Sequence, residues 1–378
     1  MIRTRTRHLA ATSLCAICAT LTGCEPAVQS QSTTLDTTRV IGESGTHNTQ
    51  FVYPRGMDIF QYNNAPHAVI VDKTARIQMM NLETGEAVGV IHTPRWDRGM
   101  PTGLTVAPSL LDPSKLAVYV ADTHEFRVLM YHLPLTATTD PQPTEPDFQF
   151  GSFGEGPAQF IYPTDIAVET DETGTVTELF VSEYGGNDRI NRFRVDRTTT
   201  PPTPVWESQI GIPGKEIDAS DHPLAHARPQ SIELWTNPDT NQREIVFTSA
   251  GHHRIGRVTK DAQLIAWYGD PLDTSDDAFK FPYGLTILDD HTALIAEFGA
   301  NRITRIDLRT GEMLFRYGGP GRRVGLLAQP WSVGVVGEQL VILDSGNNRL
   351  QFCNPPSDLA PEYTRPSRLI TSSAGARP

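Results

Sequence analysis

Residues 339–353 read Gln-Leu-Val-Ile-Leu-Asp-Ser-Gly-Asn-Asn-Arg-Leu-Gln-Phe-Cys. Leu340 to Leu343 form a short, wholly apolar run, and Ser345-Gly346-Asn347-Asn348 supply residues that tolerate a positive φ at a turn. Arg349 to Phe352 then alternate polar and apolar, the pattern of a half-buried strand. The stretch predicts one tight β-hairpin. Five further versions of it lie upstream, and their recurrence decides the fold.

Each repeat has four parts. A proline-led strand comes first, at Pro54, Pro101, Pro163, Pro229, Pro282 and Pro330. A short apolar strand follows: Ala68 to Val71, Ala117 to Ala121, Leu179 to Val181, Ile245 to Phe247, Ala293 to Ala296 and Leu340 to Leu343. The third strand opens at an arginine, namely Arg76, Arg127, Arg189, Arg254, Arg302 and Arg349, and a fourth often ends in glycine. Successive prolines are 47, 62, 66, 53 and 48 residues apart, the spacing of propeller blades built from four short strands. Thirty Gly and 29 Pro agree with many short strands and turns. No apolar run approaches the ~20 residues that a membrane-spanning helix needs.

The recurring Gly…Phe…Pro, apolar strand, Asp…Asn-Arg-Ile pattern resembles NHL repeats. Gln159-Phe160-Ile161-Tyr162-Pro163 and Asp344-Ser345-Gly346-Asn347-Asn348-Arg349 are its closest matches, and the resemblance spans residues 39–354. It implies an all-β, six-bladed β-propeller. The last repeat supplies only three strands before Pro355, and a spare strand-like segment sits at residues 39–43. The expectation is therefore that the N-terminal strand completes the last blade and closes the ring, since an open ring would leave a strand edge unpaired.

Outside the repeats, residues 1–23 have the form of an export signal: Arg3, Arg5 and Arg7, an apolar stretch from Leu9 to Leu21, then Leu21-Thr22-Gly23-Cys24. Those last four residues resemble a bacterial lipobox, which implies lipidation at Cys24. Residues 24–38 read as a lipidated tether and 355–378 as a disordered tail. The implied location is the bacterial cell envelope, anchored by lipid, and Glu25 after the cysteine favours the outer membrane slightly. Losing residues 1–23 removes three Arg and no acid, so 29 basic face 44 acidic residues and the formal charge moves from −12 to −15. With no basic run, that balance argues against nucleic acid as a partner. Beyond the signal and Cys24 only Cys353 remains, so neither an intrachain disulfide nor a thiolate zinc cluster is expected.

In five of six repeats the second strand ends in an acid (Asp72, Asp122, Glu183, Glu297, Asp344) four to six residues before the arginine. That pairing reads as a structural ion pair at the turn. The fourth repeat departs, with Ser249 and then His252-His253, while the loop before it holds Asp218, Asp221, His222 and His226. His222, His226, His252 and His253 are thus candidate ligands for one divalent metal, zinc or calcium; solvated or loop-ordering histidines are the alternative. The residues after each proline face the central channel and make a second candidate: Arg55, Thr102, Thr164, Gln230, Tyr283 and Trp331, with Asp165 beside them. His124, Glu125, Tyr184, Phe298 and Tyr317 are expected to crown the same mouth. The peptidyl-amidating lyase propeller resembles this one in its blades, yet it carries metal-binding histidines directly after those prolines. Arg, Thr, Thr, Gln, Tyr and Trp stand here instead.

The preferred expectation is a monomeric, non-enzymatic binding platform whose top face holds a protein, peptide or glycan. A metal-dependent hydrolase or lyase using the histidines of the fourth repeat is the alternative.

Overall fold

The computed structural model describes residues 30–136, 143–212, 222–288 and 291–356. The proposed signal, Cys24, Asp218, Asp221 and the tail from residue 357 lie outside them. Among the described residues the chain forms six antiparallel sheets arranged as the blades of a propeller. The innermost strands of blades 1 to 6 are Pro54–Tyr62, Leu104–Pro108, Tyr162–Thr170, Pro229–Asn237, Pro282–Ile287 and Ser332–Val336.

The second strand of each blade lies between two neighbouring blades, which is why Leu340–Leu343 and its counterparts are apolar on both faces. The core is correspondingly divided into six clusters, one per junction. Val69, Val71 and Met79 of blade 1 pack on Val106, Val118 and Leu129 of blade 2, and the pattern recurs round the ring. The last cluster joins Leu343 and Leu350 of blade 6 to Met57 and Ile70 of blade 1. The quoted hairpin turns through Ser345–Asn347, with Asn348 at φ 56°, a left-handed conformation that asparagine tolerates.

Ring closure follows the expectation, with a shifted boundary. Asp36–Ile41 pairs antiparallel with Arg349–Asn354, from Asp36 opposite Asn354 to Ile41 opposite Leu350. The strand thus begins three residues before Arg39. The expectation of a free tether over residues 24–38 needs correction in its second half. Ser30–Ser32 pairs in parallel with Phe315–Tyr317 at the outer edge of blade 5. Leu35, 4% exposed, is buried in the core between blades 5 and 6. A leucine flanked by Thr34 and Asp36 carries no periodic signal, yet its burial contributes about 1.5–3 kcal/mol. The N-terminal segment therefore clasps two blades.

Candidate functional site at the channel mouth

In five of the six blades the acid and arginine form a brace. Arg76–Asp72, Arg127–Asp122, Arg189–Glu183, Arg302–Glu297 and Arg349–Asp344 pair at 2.6, 3.0, 2.7, 2.8 and 2.8 Å. In four blades the acid also accepts a backbone N–H from the loop leading to the innermost strand, at Val52, Ile161, Lys280 and Ala328. The arginines of the same four blades donate to carbonyls of that loop. In those four blades the brace fixes the loop that delivers the chain to the channel mouth. In blade 4, Ser249 Oγ accepts the Ala227 N–H at 3.0 Å, and Arg254 stacks on Trp267 at 3.8 Å in place of an acid.

A second device locks neighbouring blades. The residue before the innermost proline is left-handed at Tyr53, Arg228, Phe281 and Gln329, with φ of 52°, 51°, 47° and 50°. Each of these N–H groups donates to a side chain from the turn of the preceding blade. The acceptors are Asn348 Oδ1 at 2.6 Å, Asp188 Oδ2 at 2.8 Å, His253 Nδ1 at 3.1 Å and Asn301 Oδ1 at 2.7 Å. His253 therefore does for blades 4 and 5 what an asparagine does elsewhere. Its lone pair is spent.

The remaining histidines of blade 4 are also engaged separately. His222 Nδ1 accepts the Leu224 N–H at 3.1 Å. His226, 4% exposed, lies 5.1 Å from the Phe247 ring, its Nδ1 3.0 Å from the Leu224 carbonyl. Burial pushes its pKa down to about 4. His252 lies near enough to act on His226 electrostatically. Among the described residues no three His, Cys, Asp or Glu side chains come together as a metal-ligand set. His226 and His252 are near neighbours, and no third ligand joins them among the described residues; Asp218 and Asp221 lie outside those residues.

The strand-one residues divide into two groups. The Thr102 hydroxyl lies 2.8 Å from Thr123 Oγ1 and 3.1 Å from the Thr164 carbonyl, and the Thr164 hydroxyl donates to the Pro229 carbonyl at 2.6 Å. Those threonines stitch innermost strands together. Arg55, Tyr283 and Trp331 instead line the channel, joined by Tyr53 and Arg228, which the strand pattern does not single out. The Arg55 guanidinium sits 6.0 Å from the Tyr53 ring and 5.6 Å from that of Trp331. Tyr283 stacks on Phe298 at 4.4 Å and meets Trp331 edge-on at 4.8 Å. Arg228 lies over Tyr184 at 5.0 Å and donates to the Tyr283 hydroxyl at 3.3 Å. Tyr184, Tyr162 and His124 continue the aromatic wall, with ring spacings of 5.4 and 5.6 Å. Glu125 stands next to His124 in the Thr123–Glu125 turn. Tyr317 does not join the mouth: it is 3% exposed, packed in the core between blades 5 and 6, and its hydroxyl accepts the Asp36 N–H.

Neither Arg55 nor Arg228 pairs with a carboxylate among the described residues, and the Nε of each is buried with no hydrogen-bond partner there. Burial lowers the Arg55 pKa, and burial together with the Arg55 charge lowers that of His124. The mouth is therefore an aromatic-walled opening that carries two guanidiniums with no paired acid among the described residues. Tyr53 and Arg228 carry no sequence signal of their own, since strand register points to the residue after each proline. The residue before it is turned to the mouth by the left-handed backbone and the inter-blade lock.

Below the mouth lies a cavity of about 50 Å³ that opens to solvent. Glycines let the innermost strands close around it: a Cβ on Gly103 would fall 2.1 Å from the Thr164 carbonyl oxygen. Asp58, Asp165, Gln230 and Glu233 face this space. Asp58 Oδ2 accepts the Val106 N–H at 2.7 Å, and Asp165 Oδ2 accepts the Ile232 N–H at 3.0 Å. Burial raises the Asp165 pKa to about 8, and the nearby Glu233 adds to the rise.

No family model matches the chain, and no curated protein matches it. Among solved structures it is similar to a structural-genomics protein of unknown function from Bacteroides thetaiotaomicron. That pair is 14% identical over 83% of this chain and 75% of the other, with a TM-score of 0.54. A streptogramin B lyase is 18% identical over 85% and 88% of the two chains, with a TM-score of 0.47. A virginiamycin B lyase from Staphylococcus aureus is 15% identical over 81% and 96%, with a TM-score of 0.47. At these identities the likeness speaks for the propeller fold alone.

Proposed function

We propose that this chain is an NHL-type propeller that serves as a binding protein, capturing a carboxylate-bearing ligand at the channel mouth. One observation carries the reading. Two guanidiniums, Arg55 and Arg228, face the mouth against aromatic rings, with no acid paired to either among the described residues. A guanidinium with no carboxylate partner in the protein can take one from a ligand, through charge-assisted bonds from those of its Nη donors that are not spent in the protein. The aromatic wall suits an apolar or aromatic body on that ligand. A peptide fits this chemistry better than a glycan, whose neutral hydroxyls leave the charges unmatched.

The same proposal anchors the protein by lipid at Cys24 in the bacterial cell envelope, the outer membrane being favoured, and has it act as a monomer.

The direct test titrates 3-phenylpropanoate into the soluble chain from residue 25, followed by tryptophan fluorescence. Saturable binding that Arg55→Ala weakens and 0.5 M salt reduces supports the reading. Equal binding by the neutral amide of the same acid would overturn it.

A further inference from the structure

We propose that the cavity beneath the arginine mouth is an ammonium subsite, so that the ligand carries a primary amine as well as a carboxylate. This rests on the binding reading above and specifies the ligand class. Three carboxyl side chains, Asp58, Asp165 and Glu233, line the space directly under the cationic mouth. On their own they are partly explained as staples between innermost strands, since Asp58 and Asp165 each accept a backbone N–H from the next blade.

Gln230 provides the second, independent observation. It faces the same cavity, is only 7% exposed, and its amide has no hydrogen-bond partner among the described residues. Its head group opens on the cavity and presents both an acceptor and a donor to the space where a ligand head would sit. One cavity thus offers cationic donors at the top and anionic and neutral acceptors below. That polarity matches a zwitterion, an amino acid or a short peptide, entering amine first.

The charge state adds a signature. Asp165 stands protonated at neutral pH because it is buried and Glu233 opposes its ionisation. Asp58 and Glu233 line the same cavity from the innermost strands of blades 1 and 4, and Arg55 and Tyr283 face it from above. An ammonium placed there favours the carboxylate, so binding drives the Asp165 proton out to solvent. A ligand without the amine leaves that proton in place.

The experiment compares phenylalanine, ε-aminocaproate, 3-phenylpropanoate and 2-phenylethylamine by calorimetry at pH 7, in two buffers of different ionisation enthalpy. We expect at least one of the two zwitterions to bind tenfold or more tightly than 3-phenylpropanoate and to release up to one proton per site. Asp165→Asn, which keeps an acceptor for the Ile232 N–H, should abolish the proton release and the amine preference while 3-phenylpropanoate binding persists. If 3-phenylpropanoate binds as well as either zwitterion, with no proton release, the ammonium subsite is wrong and the arginine mouth stands. If no carboxylate binds, both readings fall. Because the wild-type comparison decides the matter, an unstable variant does not shield the proposal.

Discussion

Blade 4's upper loops hold four histidines, and the channel mouth holds two arginines among aromatic rings. Both sets consist of side chains that bind ligands in other proteins. In blade 4 the fold uses them internally. His253 locks a blade junction, His222 orders its own loop, and His226 fills a core position beside Phe247. At the mouth the reverse holds. Arg55 and Arg228 are half-buried and face the channel with no paired acid among the described residues; a buried unpartnered nitrogen is not itself the distinction, since His226 Nε2 and Arg254 Nε of blade 4 lack one too. The difference is between side chains turned into their own loops and core and side chains turned to the channel.

The most severe way to break that contrast is to remove the two guanidiniums. Arg55→Ala with Arg228→Ala should weaken binding of a carboxylate probe at least ~100-fold, since each charge-assisted bond contributes about 1.5–3 kcal/mol. The thermal midpoint should stay within a few degrees of the wild type. A double variant that binds normally would make the mouth mere channel lining.

The next largest effect belongs to His226 and reads out as acid lability. Its folded pKa, about 4, lies below the ordinary 6.5. Below pH 6.5 the unfolded chain takes up a proton that the folded chain refuses, so stability falls as pH drops from 6.5 towards 4. The loss should reach about 3 kcal/mol. Denaturant titrations of His226→Phe across that range should show a flatter pH profile, and an unchanged slope would contradict the buried-histidine assignment.

A smaller effect sharpens the latch. His253→Ala should cost about 1 kcal/mol by leaving the Phe281 N–H without its acceptor, while His253→Asn should restore most of it. Equal losses in both variants would mean that the ring contact with Phe281, at 4.5 Å, matters more than the hydrogen bond. Smallest of all, zinc or a chelator should shift the thermal midpoint by less than ~1 °C, because a tightly bound ion would stabilise the folded state through linkage. A saturable rise lost in His222→Ala would revive the metal reading.

Much of this was legible in the chain. The six prolines, the apolar second strands and the acid–arginine pairs are each set by local rules of burial and turn chemistry, so their number fixes the blade count and the ring closure. The candidate site was legible in part. Arg55, Tyr283 and Trp331 follow from strand register, whereas Thr102 and Thr164 are committed to stitching neighbouring strands. Arg228 was hidden because its orientation depends on a hydrogen bond to Asp188, 40 residues earlier in another blade. Leu35 was hidden for a similar reason, since only the seam between blades 5 and 6 makes it a core residue.

By itself, then, the sequence determined which residues form strands, how many blades there are and which end seals the ring, because those properties depend on neighbours within one repeat. Only the tertiary structure decided which polar side chains face the channel. Where a polar side chain ends up depends on groups brought in from other blades, and those long-range partners turn Arg55 and Arg228 to the mouth and His226 and His253 into the packing of blade 4 and its junction.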